Sequence, residues 1–180
     1  MKLFKYEGYT ITISEEAFAL KAFRDIWNKD TTNSKEKATM ELAYVYFMED
    51  PRSDYQYIID REERSKAIKE GEGLKPTWKP DKKVLEAMKL YSSFKTSSAL
   101  LLEDTRIAVD KLRKYIRDIN LEDTDNNGKP IYTLNTITST IKQIPGLIKD
   151  LDEAERTLAK EIAQNDKVRG AQEKSIYEDM

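Results

Sequence analysis

Two stretches of the chain carry a repeat of apolar residues spaced alternately four and three positions apart. This repeat constrains the fold more than any other feature. The first stretch has Val84, Met88, Tyr91, Lys95, Ser98, Leu102, Thr105, Val109, Leu112, Ile116 and Ile119 at these positions. The second has Leu134, Ile137, Ile141, Ile144, Ile148, Leu151, Leu158 and Ile162. Such a repeat lines one side of an α-helix. We therefore predict that residues 80–165 form a long antiparallel helical hairpin.

Polar residues interrupt the first repeat near its middle. Lys95, Ser98 and Thr105 occupy positions where apolar side chains are expected. The SSFKTSS tract, Ser92–Ser98, contains the first two of these residues and has low helix propensity. We expect one helix over Asp81–Ile119 with a bend or a break in this tract. Further along the same helix, Leu112 and Ile116 are predicted to be buried in the hairpin.

The first 72 residues predict shorter elements. Residues 1–13 alternate apolar and polar side chains, which indicates a β-hairpin or one edge strand kinked at Gly8. Residues 14–72 predict short helices. Three helix starts are indicated, by Ser14 as an N-cap and by two pairs with capping-box spacing. These two pairs are Asn33 with Glu36 and Ser53 with Gln56.

The predicted fold class is mainly α, a helical bundle built on the long hairpin. Residues 1–165 form a single helical domain that begins with the short β-strand or hairpin. Residues 166–180 have no helical periodicity and are predicted to form an extended C-terminal tail, in which Ile176 and Tyr177 are the only large apolar residues.

The composition argues against most enzyme classes. The chain has no cysteine and no histidine, which removes thiolate chemistry and the side chain best suited to acid–base work near neutral pH. Hydrophobic content is 39% and charged content 36%. Typical domains have about 45–50% and about 25%. A thin core of this kind favours extended helices or surfaces that are buried on assembly. We expect no enzyme activity and no cofactor.

Three further classes of function find little support. The net charge of −2 gives no basic footprint for nucleic-acid recognition. No apolar run approaches the roughly 18 residues that span a bilayer, and the first ten residues lack the apolar core of a signal peptide. We expect no membrane partner and synthesis in the cytoplasm. Asp123, Asp125 and Asn127 begin like a calcium loop, but Leu134 replaces the bidentate glutamate, so an ordinary turn is predicted.

An aromatic segment surrounds the Asp50-Pro51 helix stop. Its four tyrosines are Tyr44, Tyr46, Tyr55 and Tyr57. The segment can be core, pocket wall or protein interface, and we interpret it as interface plus core, since tyrosines are enriched where proteins meet. Arg61 and Arg64 follow within DREER. They belong either to a solvated helix face or to an arginine pair that meets an acidic neighbour.

The sequence ELAYVYFMEDPRSDYQYIIDREER, Glu41–Arg64, resembles a pattern in small virion proteins of tailed phages, especially crAss-like phages of Bacteroides. The family it resembles is the head–tail connector or adaptor. The resemblance places a contact turn at Pro51, Arg52, Ser53 and Tyr55 and a flanking helix with Asp60, Arg61 and Arg64.

The resemblance also implies a function and partners. It implies a ring homo-oligomer, a dodecamer, that docks on the portal and on neighbouring ring or tail proteins in the virion. DNA passes through the ring without sequence recognition. The interface residues expected on this basis are Tyr44, Tyr46, Arg52, Tyr55, Arg61, Arg64, Ile176 and Tyr177. The alternatives are an internal phage cargo or other virion structural protein, and a cytosolic helical regulator or chaperone that binds one partner.

Overall fold

The computed structural model describes the backbone of residues 3–7 and 10–168. The chain divides into two compact units, Met1–Lys95 (unit 1) and Thr96–Met180 (unit 2). The described part is mainly helical and has a small two-stranded antiparallel sheet near the N-terminus, which confirms the predicted fold class at this level. Within these residues, no helix combines the length and the apolar character needed to cross a membrane.

The N-terminal hairpin is held by aromatic packing. Strand β1 (Phe4–Glu7) pairs with β2 (Thr10–Ile13), and Phe4 lies opposite Ile13. The Phe4 ring lies 5.8 Å from Phe23, 5.6 Å from Tyr46 and 5.3 Å from Tyr91, measured between ring centroids. An isolated two-stranded hairpin is marginal in water. These contacts with the helices therefore account for its stability.

Unit 1 also contains a short 3-10 helix, Glu15–Ala19, and four α-helices. The α-helices are α1 (Lys21–Lys29), α2 (Glu36–Glu49), α3 (Arg61–Gly71) and α4 (Lys82–Ser92). Helix α2 is central, and every residue from Glu41 to Glu49 is buried. The buried carboxylate of Glu41 accepts hydrogen bonds from Lys29 at 3.1 Å. This pairing explains how an acidic residue is tolerated inside the core.

The predicted helix starts near Ser14 and Asn33 are wrong in detail. The buried Ser14 hydroxyl has no hydrogen-bond partner among the residues that the structure describes, and the turn after it is a 3-10 helix. Helix α2 begins at Glu36, with Lys35 and not Asn33 in the N-cap position, and its N-terminus is satisfied from outside the local sequence. The Asp30 carboxylate accepts a hydrogen bond from the Ala38 backbone N–H at 3.0 Å, and Lys35 has a φ of 54°.

The predicted capping box of Ser53 and Gln56 is also wrong. Residues 51–57 form turns, and α3 begins at Arg61. Its N-cap is Asp60, whose side chain accepts hydrogen bonds from the backbone N–H groups of Glu62 and Glu63, each at 2.9 Å. Ser53 and Gln56 instead bind the C-terminal end of α2. The stop of α2 before Pro51 is as predicted.

The predicted Asp81–Ile119 helix is broken in the SSFKTSS tract. Helix α4 ends at Ser92, and α5 (Ser97–Asp118) begins after Thr96. The Thr96 hydroxyl accepts a hydrogen bond from the Ala99 backbone N–H at 3.3 Å and donates one to Glu161 at 3.1 Å. The hydrogen bond from Ala99 makes Thr96 the N-cap of α5. The tract of low helix propensity therefore separates two helices.

The described part of unit 2 consists of α5, a loop and α6 (Leu134–Val168). The two helices meet in a small cluster of four buried residues, Ala99, Leu102, Ala154 and Leu158. Arg106 and Glu155 form an ion pair at 2.8 Å beside it. Leu112 and Ile116 are only half-buried, so the prediction that they are buried is wrong. Among the described residues of unit 2, no third element covers them.

The loop between α5 and α6 is organised by one aspartate, Asp125. The Asp125 carboxylate accepts hydrogen bonds from the backbone N–H groups of Asn127 and Lys129 at 2.8 and 2.9 Å, and Gly128 adopts a φ of 75°. This is ordinary turn chemistry. Helix α6 extends through Val168 and so includes the first three residues of the tail, which is predicted to begin at Asp166. Ile176 and Tyr177 lie outside the described residues.

Candidate interaction site

The segment from Glu49 to Arg61, which we call the elbow, turns the chain from α2 into α3. Three side chains satisfy the carbonyl groups that end α2. The Ser53 hydroxyl donates to Phe47 O at 2.9 Å, and the Gln56 amide donates to Met48 O at 3.2 Å. The Arg64 guanidinium donates to Met48 O at 3.1 Å. Since the last carbonyls of a helix have no partner within it, these contacts fix the exit of the chain.

Glu49 occupies the last position of α2 with its side chain buried. Its two carboxylate oxygens bind different cations, one the Arg61 guanidinium and the other the Lys95 ammonium at 3.3 Å. The side chains of Glu49 and Lys95 are 3% and 7% exposed, whereas that of Arg61 is 54% exposed. Arg61 therefore neutralises a buried charge while most of its own surface faces solvent.

Asp50 follows directly and is also buried. Its two oxygens accept hydrogen bonds from Arg52 Nε at 2.9 Å and from a terminal Arg52 nitrogen at 2.7 Å, and the Tyr91 hydroxyl donates to the same carboxylate. Two negative charges at the C-terminal end of a helix oppose its dipole. The cations bound to these carboxylates are Arg52, Arg61 and Lys95. They offset this repulsion and the cost of burying both carboxylates.

The ionisable groups around Asp50 are held in one protonation state. Burial raises the pKa of the Tyr91 hydroxyl, and the neighbouring Asp50 charge raises it further. Burial likewise raises the pKa of Tyr46, and that of Tyr55 to about 12. Hydrogen bonds to Asp50 raise the pKa of Arg52. These groups therefore act as hydrogen-bond donors and ion-pair partners over the physiological pH range.

The structure places the predicted interface residues at three depths. Tyr44, Tyr46 and Arg64 are buried, Tyr55 is half-buried, and Arg52 and Arg61 are exposed. Tyr57 is the most exposed tyrosine of the segment, at 74%.

Two tyrosines of the segment have partners within unit 1. The Tyr44 hydroxyl lies 2.7 Å from Ser65 Oγ, and its ring packs edge-on against Trp78, with 4.8 Å between centroids. The Tyr55 ring packs against Phe47 at 5.1 Å, and its hydroxyl donates to Glu72 at 3.2 Å. A Cβ atom on Gly71 would lie 2.0 Å from the Tyr55 hydroxyl oxygen. Glycine at this position therefore permits the close approach of Tyr55 to α3.

Sequence reasoning missed two residues that bind the elbow from elsewhere in the chain. Lys95 and Tyr91 lie more than 40 positions after Glu49 and Asp50, and no local pattern connects them. Both stand at positions of the first heptad repeat, where Lys95 was interpreted as an interruption. A charged residue at a position that faces inward needs a buried partner. The inward-facing position of Lys95 is therefore the one signal in the sequence that it binds an acidic residue elsewhere in the core.

A second candidate surface lies in unit 2, where α5 and α6 enclose a groove of about 550 Å³. Leu101, Ala108, Leu147 and Ala154 provide its apolar lining, and Asp104, Asp150 and Glu153 also line it. Among the residues that the structure describes, no three side chains of the metal-ligating types come together.

Comparison of the chain with models of protein families, with curated proteins and with solved structures finds no match.

Proposed function

We propose that this chain is a structural virion protein, the head–tail connector or adaptor subunit of a tailed phage. It is made in the host cytoplasm and assembles in the virion as a ring docked on the portal, through which DNA passes without sequence recognition. In this proposal, α5 and α6 form an antiparallel helical hairpin, and the residues after Val168, with Ile176 and Tyr177, extend to a neighbouring protein.

The observation that carries the proposal is the thin core of unit 2. Helices of 22 and 35 residues share a cluster of four buried side chains. Apolar side chains of the same unit are left largely exposed, among them Leu100, Leu101, Tyr115, Leu121, Ile131, Leu134, Ile141 and Ile148. Exposed apolar surface on this scale is typical of a protein whose helices are covered by partners. An obligate assembly subunit has this property.

The elbow supports the more specific part of the proposal. It contains the contact turn of the connector resemblance, and the contacts of Ser53, Gln56 and Arg64 with α2 hold it in one conformation. Its outward side chains include Arg52, Tyr57 and Arg61. A rigid turn that presents one tyrosine and two arginines suits a protein contact, since aromatic residues and arginine are enriched in interfaces. In this proposal the buried Tyr44, Tyr46 and Arg64 support the contact from beneath.

Docking through the elbow is tested by binding the full-length chain to purified portal rings. Tyr57→Ala removes an exposed side chain and should weaken docking without lowering the melting temperature. Leu85→Ala is the matched control, because Leu85 is an exposed apolar residue on α4 that is not part of the elbow (51%, against 74% for Tyr57). Equal docking of Tyr57→Ala, Leu85→Ala and the parent chain would contradict the proposed contact.

Light scattering on the purified chain separates this proposal from the alternatives. A connector subunit gives a multimeric particle of defined mass. A regulator or chaperone gives a monomer that binds one partner transiently, and an internal cargo protein is found inside heads that lack ring density. The thin core of unit 2 favours the multimer.

A further inference from the structure

The hairpin of unit 1 has an outer edge on β2 whose backbone groups point away from β1. The Ser14 N–H donates to Leu3 O at 3.0 Å, which continues the register of the two strands. In an antiparallel pair, residues that exchange backbone hydrogen bonds alternate with residues that do not. The N–H and C=O groups of Ile11 and Ile13 therefore lie along the outer edge of β2.

The backbone groups of this edge have no partner within the described part of the chain. Among those residues, no backbone or side-chain group forms a hydrogen bond with the outward N–H or C=O of Ile11 or Ile13. A backbone polar group that is hidden from water without a hydrogen bond carries a free-energy cost. The outer edge of β2 therefore faces either water or a strand that the described residues do not include.

Strand β2 lacks most of the features that keep edge strands from pairing. Natural edge strands are protected by charged side chains, proline, a bulge or short length. The sequence of β2 is Thr-Ile-Thr-Ile, with no charge and no proline, and its register with β1 is regular. Thr12 is exposed, whereas Ile11 and Ile13 are half-buried against the core. One face of the edge is therefore polar and uncharged, the other is apolar, and short length is its one protection.

The outer edge of β2 is complementary to the same edge of a second copy. When two β2 strands lie antiparallel with Thr12 opposite Thr12 of the other copy, Ile11 lies opposite Ile13. The residues with outward backbone groups then face each other and form hydrogen-bonded pairs. Residues directly opposite each other have their side chains on the same face of a sheet. The isoleucines therefore pack together on the apolar face, and the threonines meet on the exposed face.

We propose that β2 of one copy of this chain pairs antiparallel with β2 of a second copy, so that the two hairpins form one four-stranded sheet. An open strand edge binds extended segments in this way, and no charge on β2 opposes the approach of an identical strand. The contact is isologous and closes with two copies, whereas a ring needs a head-to-tail contact. The inference therefore goes beyond the proposed function and describes how copies pair outside the ring.

Charge at Thr12 tests the pairing on the full-length chain. Thr12→Lys and Thr12→Glu each place like charges directly opposite each other, at a pair whose side chains lie close together. Each variant alone should raise the Kd of pairing by at least about tenfold. An equimolar mixture of the two should restore pairing, because lysine then lies opposite glutamate. Thr31→Lys is the matched control, since Thr31 is an exposed threonine outside the hairpin, and it should pair like the parent chain.

Hydrogen–deuterium exchange with single-residue readout measures the pairing separately from any ring contact. The amides of Ile11 and Ile13 should exchange more slowly as the chain concentration rises, and this dependence gives the Kd. The Thr12 amide donates within the hairpin, so it should be protected at every concentration and serves as the reference. Circular dichroism and melting curves check that every variant folds.

The exchange rates also decide against the pairing if it is wrong. Ile11 and Ile13 amides that exchange as freely at high concentration as at low would overturn it. Protection that does not depend on concentration would place the same chain on the edge, and protection that survives in Thr12→Lys and Thr12→Glu alone would place another partner there. Each of these results leaves the ring proposal to light scattering. Paired edges in a chain that never exceeds two copies would support the pairing and contradict the ring.

Discussion

Arg64 joins the last turn of α2 to the start of α3. Its Nε donates to Ile58 O at 2.8 Å and a terminal nitrogen donates to Met48 O at 3.1 Å, while the residue is only 3% exposed. A hydrogen bond from a charged group contributes about 1.5–3 kcal/mol. We expect Arg64→Ala to lower the free energy of unfolding by about 2–4 kcal/mol, and Arg64→Lys to recover little, because lysine lacks the planar fork. Urea denaturation measures both.

The same helix provides the control for Arg64. Lys66 is exposed, and Lys66→Ala should change the free energy of unfolding by no more than about 0.5 kcal/mol. A loss for Arg64→Ala as small as that of Lys66→Ala would show that the two carbonyl contacts do not hold the elbow in solution.

Asp30 gives unit 1 a dependence on acidic pH. Hydrogen bonds from the Thr32 hydroxyl and from the backbone N–H groups of Thr32 and Ala38 lower the pKa of Asp30 from 3.8 to about 2. A carboxyl group whose pKa is lower in the folded state stabilises the fold above its unfolded pKa. That contribution is lost as the pH falls through the folded value. We therefore expect the urea midpoint to fall between about pH 4 and pH 2.

Asp30→Asn tests the source of this pH dependence. The amide cannot ionise, so the variant should be less stable at neutral pH and should lose less of its remaining stability on acidification. Urea midpoints of parent and variant, measured across the acidic range, give the comparison. Parallel pH profiles for the two proteins would assign the dependence to other carboxylates.

At the scale of elements, the sequence predicts where helices stop better than how they start. Pro51 ends α2 through a local steric effect, which can be read directly from the sequence. The N-terminus of α2 depends on Asp30, six positions before Glu36. Ser53 and Gln56 have the spacing of a capping box, yet their side chains bind the end of α2. Tertiary contacts that satisfy the same donors and acceptors override the local pattern.

The heptad repeats show the same limit. The second repeat corresponds to one helix, α6, as predicted. The first continues in register across the break between α4 and α5. Lys95 lies in that break and binds Glu49 within unit 1. A heptad repeat shows which residues face inward. It does not show whether those residues pack against one group of helices or two, so it did not reveal the boundary between the units.

Pro145 lies inside α6 and gives a prediction for that element. Proline in a helix interior removes one backbone hydrogen bond and costs about 3 kcal/mol or more. We expect Pro145→Ala to stabilise unit 2 by about 1–3 kcal/mol. Gly146→Ala, where an added Cβ meets no atom within 4 Å, should contribute about 0.5–1 kcal/mol.

Thermal melting of both α6 variants checks this prediction. The expected order of melting temperatures is Pro145→Ala, then Gly146→Ala, then the parent chain. A Pro145→Ala variant that melts at or below the parent temperature would show that the proline makes a contact that offsets its cost to the helix.

At the scale of the whole molecule, the sequence predicted a mainly helical chain with an N-terminal β-strand or hairpin, because both follow from residue periodicity. It also directed attention to the segment that forms the elbow. It did not predict that Tyr44, Tyr46 and Arg64 are buried, since the burial of an amphipathic side chain depends on which helices surround it. Lys95 and Tyr91, the distant partners of Glu49 and Asp50, were beyond its reach for the same reason.

The central claim is that many copies of this chain form one ring between head and tail. Electron cryo-microscopy of the native assembly, with the chain tagged for identification, tests the claim most directly. The account predicts a closed ring of rotational symmetry at the portal, in which each subunit contacts the next through unit 2 and presents its elbow to a neighbouring protein. A single copy of the chain, or copies packed inside the head without ring symmetry, would contradict it.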